Sequence, residues 1–165
     1  MMILRESSAA AQIALDTMTE DAARFLGNGF AAIDPWARYG FSADSLAAYL
    51  SKPEAGAPRY VIRIDGAIAG AIGMRDAWLR GPYLQFLGIL PDFQAQGAGQ
   101  LALAWFEGTA RARGERNIWV AASEFNSTAL KFYERHGFQR AARLDSLIDD
   151  GETEILLRKR LSIKK

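Results

Sequence analysis

The chain has 165 residues, half of them hydrophobic, which suits one domain with a sizeable core and leaves two domains cramped. Twenty basic against nineteen acidic residues leave a net charge of +1, so no global field points to nucleic acid or an anionic membrane. The absence of cysteine excludes a disulfide framework, a catalytic thiol and a thiolate metal site, and a single histidine, His136, argues against a zinc cluster.

The opening Met1-Met2-Ile3-Leu4-Arg5-Glu6 lacks the long apolar core of a signal peptide, and no apolar run is long enough to span a bilayer, so a cytoplasmic protein is expected. Residues 1 to about 10 read as a tail or a first turn, without deciding between them. Ile13 and Leu15 alternate within Gln12 to Asp16, a first strand, and Thr19 followed by Glu20-Asp21 starts a helix that Gly27-Asn28-Gly29 should weaken. An aromatic connection from Phe30 to Gly40 leads to a short helix capped by Ser42 and running to Leu50. Beyond a linker from Lys52 to Pro58, Arg59 to Ile64 and Ala67 to Met74 form a hairpin across Asp65-Gly66, a favoured tight-turn dipeptide. A loop holding Trp78 precedes a buried strand from Tyr83 to Leu90. Later elements are a helix from Gly99 to about Arg113, a strand over Asn117 to Ala122, and a helix from Ser127 to His136 closed by Gly137. Two last strands, Phe138 to Leu144 and Thr153 to Leu161, are linked across Asp149-Asp150-Gly151. The order predicts a mixed, mostly antiparallel central sheet of about seven strands with helices on both faces, an α/β (α+β) fold.

Pro91 stops the buried strand, and a short loop carries Gly97 and Gly99 into the next helix. Glycines let backbone approach a ligand, and a helix start leaves amides unpaired under a favourable dipole, so this strand, loop, helix unit is a candidate phosphate cradle. Gly97-Ala98-Gly99-Gln100-Leu101-Ala102 also fits the dinucleotide pattern G-x-G-x-x-G/A, with Glu124 as a candidate ribose ligand. In that fold the first glycine follows the strand directly, whereas six residues, Pro91 to Gln96, separate Leu90 from Gly97 here. A second marked stretch runs from Ser123 to Phe138. Asn126 and Tyr133 are seven residues apart, two helical turns, and can face one ligand, while Lys131, Glu134 and Arg135 sit outside.

Gln94-Ala95-Gln96-Gly97-Ala98-Gly99 resembles the Q/R-x-x-G-x-G/A pyrophosphate loop of the GNAT superfamily of acetyl-CoA-dependent N-acetyltransferases. Leu87-Gly88-Ile89-Leu90-Pro91 matches the strand before it, and Asn126, Ala129, Phe132-Tyr133 and Gly137-Phe138 are similar to the family's second motif at its spacing. The resemblance covers residues 59 to 161 well, which would be the acetyl-CoA-binding core of a single domain spanning 1–165; residues 1–58 would form the variable acceptor side. It implies acetyl transfer from acetyl-CoA to a primary amine, of a small molecule or a protein, by direct attack with both substrates bound.

The resemblance further implies roles for particular residues. Backbone amides of Gln94, Gln96, Gly97, Ala98, Gly99 and Gln100 would hold the pyrophosphate. Leu87 and Ile89 would pair with the pantetheine arm, with an Ile89 amide polarising the thioester carbonyl. Asn126 would fix the pantetheine side and the splay between two parallel strands, and Tyr133 would protonate the departing thiolate. Many relatives place a glutamate on the central strand where this chain has Gln85, so the base is open: waters held by Gln85, Ser123 or strand carbonyls, an acceptor that binds already neutral, or loss of activity are the alternatives. For the acceptor wall, Phe30, Trp36, Tyr39, Trp78 and Tyr83 are candidates, with Asp34 reading a cation and Gln85 nearby. His136 reads as charge at a helix end. Two rival functions are an acyl-CoA-sensing module without turnover, suggested by Gln85, and a dinucleotide-binding oxidoreductase. A homodimer is compatible with the sequence; neither nucleic acid, nor membrane, nor metal is expected as a partner.

Overall fold

The computed structural model describes residues 1–7 and 10–162. Among them are strands β1 (Met2–Ser7), β2 (Ala10–Thr17), β3 (Arg59–Ile64), β4 (Ala67–Arg75), β5 (Tyr83–Ile89), β6 (Asn117–Ser123), β7 (Gln139–Asp145) and β8 (Thr153–Arg160), with helices α1 (Glu20–Ala31), α2 (Ala43–Ser51), α3 (Ala98–Ala112) and α4 (Ser127–Arg135). The eight strands form one sheet in the order β1-β2-β3-β4-β5-β6-β8-β7. Every described pair is antiparallel except β5 with β6. No helix among the described residues is long and apolar enough to cross a membrane.

The sheet holds one strand more than the expected seven. The extra strand is β1, from the stretch that reads in sequence as a tail or a turn; it pairs along β2, with Met2 opposite Leu15 and Ile3 opposite Ala14. Ser8 and Ala9 of that stretch lie outside the described residues. What orders β1 is the open edge of β2, a partner that local sequence pattern does not display.

Central strands with helices on both faces must be apolar on both, and β3 and β4 are. Val61 and Ala71 pack against α1 and α2 in one core, while Ile62, Ile64, Ile72 and Met74 face α3 and α4 in the other. Helix α1 begins at Thr19, whose side chain accepts from the Ala22 amide at 3.2 Å, with Glu20 and Asp21 in its first turn. It runs straight through Gly27 and Gly29, where the sequence predicts weakening. A Cβ at Gly27 would lie 2.5 Å from the Ala43 carbonyl oxygen of α2, and one at Gly29 would lie 2.5 Å from a Leu90 methyl. Close packing against backbone, rather than turn formation, requires glycine at Gly27, while at Gly29 the neighbour is the end of a leucine side chain that can shift. Helix α3 buries Ala98, Ala102, Leu103, Phe106 and Ala110 as one stripe, a spacing that repeats with the helical turn.

Phe106 is fully buried at the middle of that stripe. Phe106→Ala is expected to cost about 3–5 kcal/mol, the usual penalty for emptying a core aromatic site. Urea denaturation of the two proteins measures it, as a lower midpoint with an unchanged slope.

Candidate active site

The site begins where the sheet comes apart. β5 and β6 pair at Tyr83 with Trp119 and at Leu84 with Val120, and nowhere further along. An aromatic cluster pins this closed end: Trp78 lies 5.0 Å from Tyr83 and 5.4 Å from Trp119, whose indole donates to the Leu79 carbonyl at 2.7 Å. Beyond it the strands diverge and the edge of β5 is bare. The Leu90 amide donates back to Ala69 on β4. By the alternation of an antiparallel ladder, the backbone groups of Leu87 and Ile89 therefore face the gap. The Gln94 side-chain amide donates to the Ile89 carbonyl at 3.1 Å, which ties the following loop to the strand end.

That loop makes a 3-10 turn over Pro91–Phe93 and reaches α3 through Gly97, which has φ of 84°. Such a backbone conformation favours glycine. Helix α3 has no side-chain cap and no acidic residue in its first turn. The first amide to find a carbonyl is that of Leu101, on Gly97, so the N–H groups of Ala98, Gly99 and Gln100 are unpaired among the described residues. A helix start left in this state concentrates donors and partial positive charge at one spot.

The opposite wall is α4. Asn126 is its N-cap, with Oδ1 accepting from the Ala129 amide at 3.2 Å. Two turns on, Tyr133 is 7% exposed and packs against Phe132 and Phe138. No described residue hydrogen-bonds its hydroxyl. Burial, with a smaller push from neighbouring Tyr83, raises this phenol well above its ordinary range, so it stays protonated at neutral pH.

These walls enclose a cavity of about 850 Å³. Of the residues singled out in sequence, Leu87, Ile89, Gln94, Gly97, Ala98, Gly99, Gln100, Asn126, Tyr133, Asp34 and Trp36 line it. Trp36 does so while stacked on Phe86 at 4.8 Å. Lys131 and Arg135 are exposed, as expected, yet also line the cavity and give it two cations. Phe30 is fully buried in the core beneath Trp36. Gln96 turns away, its amide 3.5 Å from the Asp92 carbonyl. Trp78 sits at the closed end of the splay rather than at the cavity, and the oxygen of Gln85 accepts from the Tyr49 hydroxyl at 3.1 Å. Glu124 is paired with Arg143 on the surface, and His136 directs Nδ1 at the Phe132 carbonyl at 2.7 Å.

Tyr39 belongs to a cluster not foreseen as a unit. Its hydroxyl donates to Glu154 Oε1, and the Ser123 hydroxyl donates to the same oxygen at 2.5 Å. Glu154 is 5% exposed. Burial, and then the bond to Glu154, push the Tyr39 phenol up to about 12; burial, with a further contribution from the Glu154 charge, does the same for Tyr83. Nothing in the local sequence marks Glu154, which looks like one more polar residue of a hairpin strand.

Comparison with known proteins bears on this geometry. The model of the acetyltransferase (GNAT) family matches residues 15–138. The chain is similar in structure to the ribosomal-protein-alanine N-acetyltransferase of Escherichia coli, with a TM-score of 0.72, 20% identity, and 93% of this chain and 96% of that one covered. It is also similar to a spermidine N-acetyltransferase from Vibrio cholerae (TM-score 0.68, 14% identity, 90% and 93% covered). A third structure, a Bacillus anthracis protein in complex with acetyl coenzyme A, has a TM-score of 0.60 and 18% identity, with 69% and 67% covered. No curated protein matches the sequence significantly. At these identities the structures establish the fold, and the family model, which spans most of the chain, establishes the lineage: the chain belongs to the acetyltransferase (GNAT) family.

Proposed function

We propose that the protein transfers an acetyl group from acetyl-CoA to a primary amine by direct attack while both are bound. One observation carries this reading: a single cavity presents an unpaired strand edge, an uncapped helix start and a buried, protonated phenol.

The residues present fit acetyl-CoA. The free amides of Ala98, Gly99 and Gln100 suit a pyrophosphate, and Lys131 and Arg135 add charge on the same wall. The bare edge at Leu87 and Ile89 suits the two amides of a pantetheine arm, which lie in the gap as an added strand would. Asn126 holds the far side of that gap by capping α4. Acetyl-CoA, when bound, supplies an acyl group activated as a thioester.

The rest is the work of the chain. The Ile89 amide, fixed at the strand end and aimed into the gap, stabilises negative charge developing on the thioester oxygen. Tyr133 delivers its proton to the departing sulfur. By reference values of about 10 and 8.5 a phenol gives its proton to a thiolate slightly uphill; burial here keeps the phenol protonated and makes the transfer more uphill, so the step depends on the phenol and the departing sulfur being held close. Gln85 takes no part as a base, since an amide accepts protons poorly and its oxygen is already engaged by Tyr49.

Two outcomes test this. Gly99 lies in the first turn of α3, where an added Cβ meets only Phe132 and Ile89 at ordinary contact distances, 3.8 Å and 4.0 Å. Gly99→Leu therefore fills the cavity without straining the backbone. Calorimetry is expected to give saturable acetyl-CoA binding in the wild type, no binding in Gly99→Leu, and no binding of NADH to either. Retained affinity in the variant counts against the cradle. Tyr133→Phe is expected to keep acetyl-CoA affinity and lower kcat by roughly 10²-fold or more, the usual worth of a positioned acid. Because the phenol stays protonated in the fold, that deficit should be constant from pH 6 to about pH 9. A module that only senses acyl-CoA would bind and acetylate no amine.

A further inference from the structure

Glu154 is a buried carboxylate with no lysine or arginine partner among the described residues. A charge in that state is costly unless a cation arrives to meet it. Both of its hydrogen bonds fall on one oxygen, Oε1, from Tyr39 and Ser123. Among the described residues Arg59 Nε is the one fully buried side-chain polar atom without a partner. Oε2, which accepts nothing, therefore reaches accessible space.

Its place in the fold sets it beside the reacting end of the cavity. From the last paired rung, Leu84 with Val120, three residues along each strand lead to Leu87 and Ser123, level across the splay, and Ser123 is the register partner of Glu154. The cluster is joined to the cavity walls on two sides. The Asn126 amide donates to the Ser123 carbonyl at 2.8 Å, and the Tyr39 amide donates to that of Pro35 at 3.1 Å. Phe125 and Phe41 flank Tyr39 at 5.5 Å and 6.2 Å; the Arg38 guanidinium already lies 3.9 Å over the Phe125 ring, which leaves Phe41 and Tyr39 as the aromatic surface for a further cation.

We propose that Glu154 anchors the acceptor's ammonium group through Oε2 and takes its proton, with Tyr39 and Ser123 as positioning residues that hold the carboxylate in place. The proposal rests on the N-acetyltransferase reading and names the class of acceptor, a primary amine that is cationic in solution. The ammonium gives one proton to Oε2. The neutral nitrogen attacks the thioester carbonyl carbon; the C–N bond forms, the C–S bond breaks, and its electron pair leaves on sulfur, which takes the Tyr133 proton. The second proton from nitrogen restores the phenol, and Glu154 returns the first to solvent. The titratable and charged groups around Glu154 are Tyr39, Tyr83, Glu152 and Arg38, and Arg38 is already engaged by Glu152 at 2.8 Å.

The test compares wild type, Glu154→Gln, Glu154→Asp and Tyr39→Phe, with butylamine, spermidine and an alanyl peptide amide as acceptors. Acetyl-CoA affinity is measured by calorimetry and acetyl transfer by thiol release between pH 6 and 10. Glu154→Gln is expected to bind acetyl-CoA within about twofold of wild type and to lose about 10²-fold or more in kcat/KM at pH 7. The deficit should shrink as pH approaches the amine's own pKa, where the acceptor arrives neutral. Glu154→Asp and Tyr39→Phe should fall between. Wild-type transfer by Glu154→Gln, a deficit equal at every pH, or loss of acetyl-CoA binding would each overturn the role, the last marking Glu154 as structural. A wild type that binds acetyl-CoA but acetylates none of the three amines overturns it too. A wild type that does not bind acetyl-CoA defeats the parent reading instead.

Discussion

Two rungs of parallel pairing between β5 and β6 are the constraint on which the rest of the molecule depends. A sheet normally satisfies its backbone groups strand by strand, and a bare edge in the middle of one is costly unless something else pairs with it. Here β5 is held along its length by β4, and β6 by β8, so each strand keeps a ladder on one side where the other side is open. The helices divide by face instead, and the core beneath α3 and α4 runs across both halves of the sheet. α1 and α2 pack across one face while α3 and α4 pack across the other, and the gap opens within the sheet, between β5 and β6. The unpaired edge is thus supported by the ladder behind it, and its donors and acceptors remain available to a ligand.

The helix start beside that gap follows the same logic. Most helices in this chain are capped by their own sequence: Thr19 serves α1, Ser42 serves α2 and Asn126 serves α4. α3 alone of these starts on a glycine without a side-chain cap. The stability given up there is local and small, about 1 kcal/mol for a missing cap, and the buried stripe around Phe106 offsets it several times over. Where a fold can spare a cap, the free amides become binding capacity for an anion.

Much of this was legible in the sequence because it depends on local chemistry. The strand ending at Pro91 and the glycines at 97 and 99 form one short stretch, Asn126 and Tyr133 two turns later form another, and the cavity brings the two together. The hairpin turn at Asp65-Gly66 and the helix stops were similarly local. What escaped notice depended on partners remote in sequence. β1 needed the edge of β2, Gly27 of α1 needed the backbone of α2, and Trp78 went to Trp119 rather than to the cavity. Glu154 is the clearest case: its burial comes from Tyr39 and Ser123, which are 115 and 31 residues away. No periodicity reports such a meeting.

The connection between α1 and α2 touches both halves of the split sheet. Trp36 lies on Phe86 of β5, and three residues later Tyr39 grips Glu154 of β8, while Arg38 rests 3.9 Å over the Phe125 ring and binds Glu152. This short stretch is a spacer set between two jaws. Its length, rather than any single side chain, gauges how far apart Phe86 of β5 and Glu154 of β8 are held. A residue inserted or deleted between Trp36 and Tyr39 would therefore reset the width of the jaws while leaving the glycine loop at the start of α3 untouched.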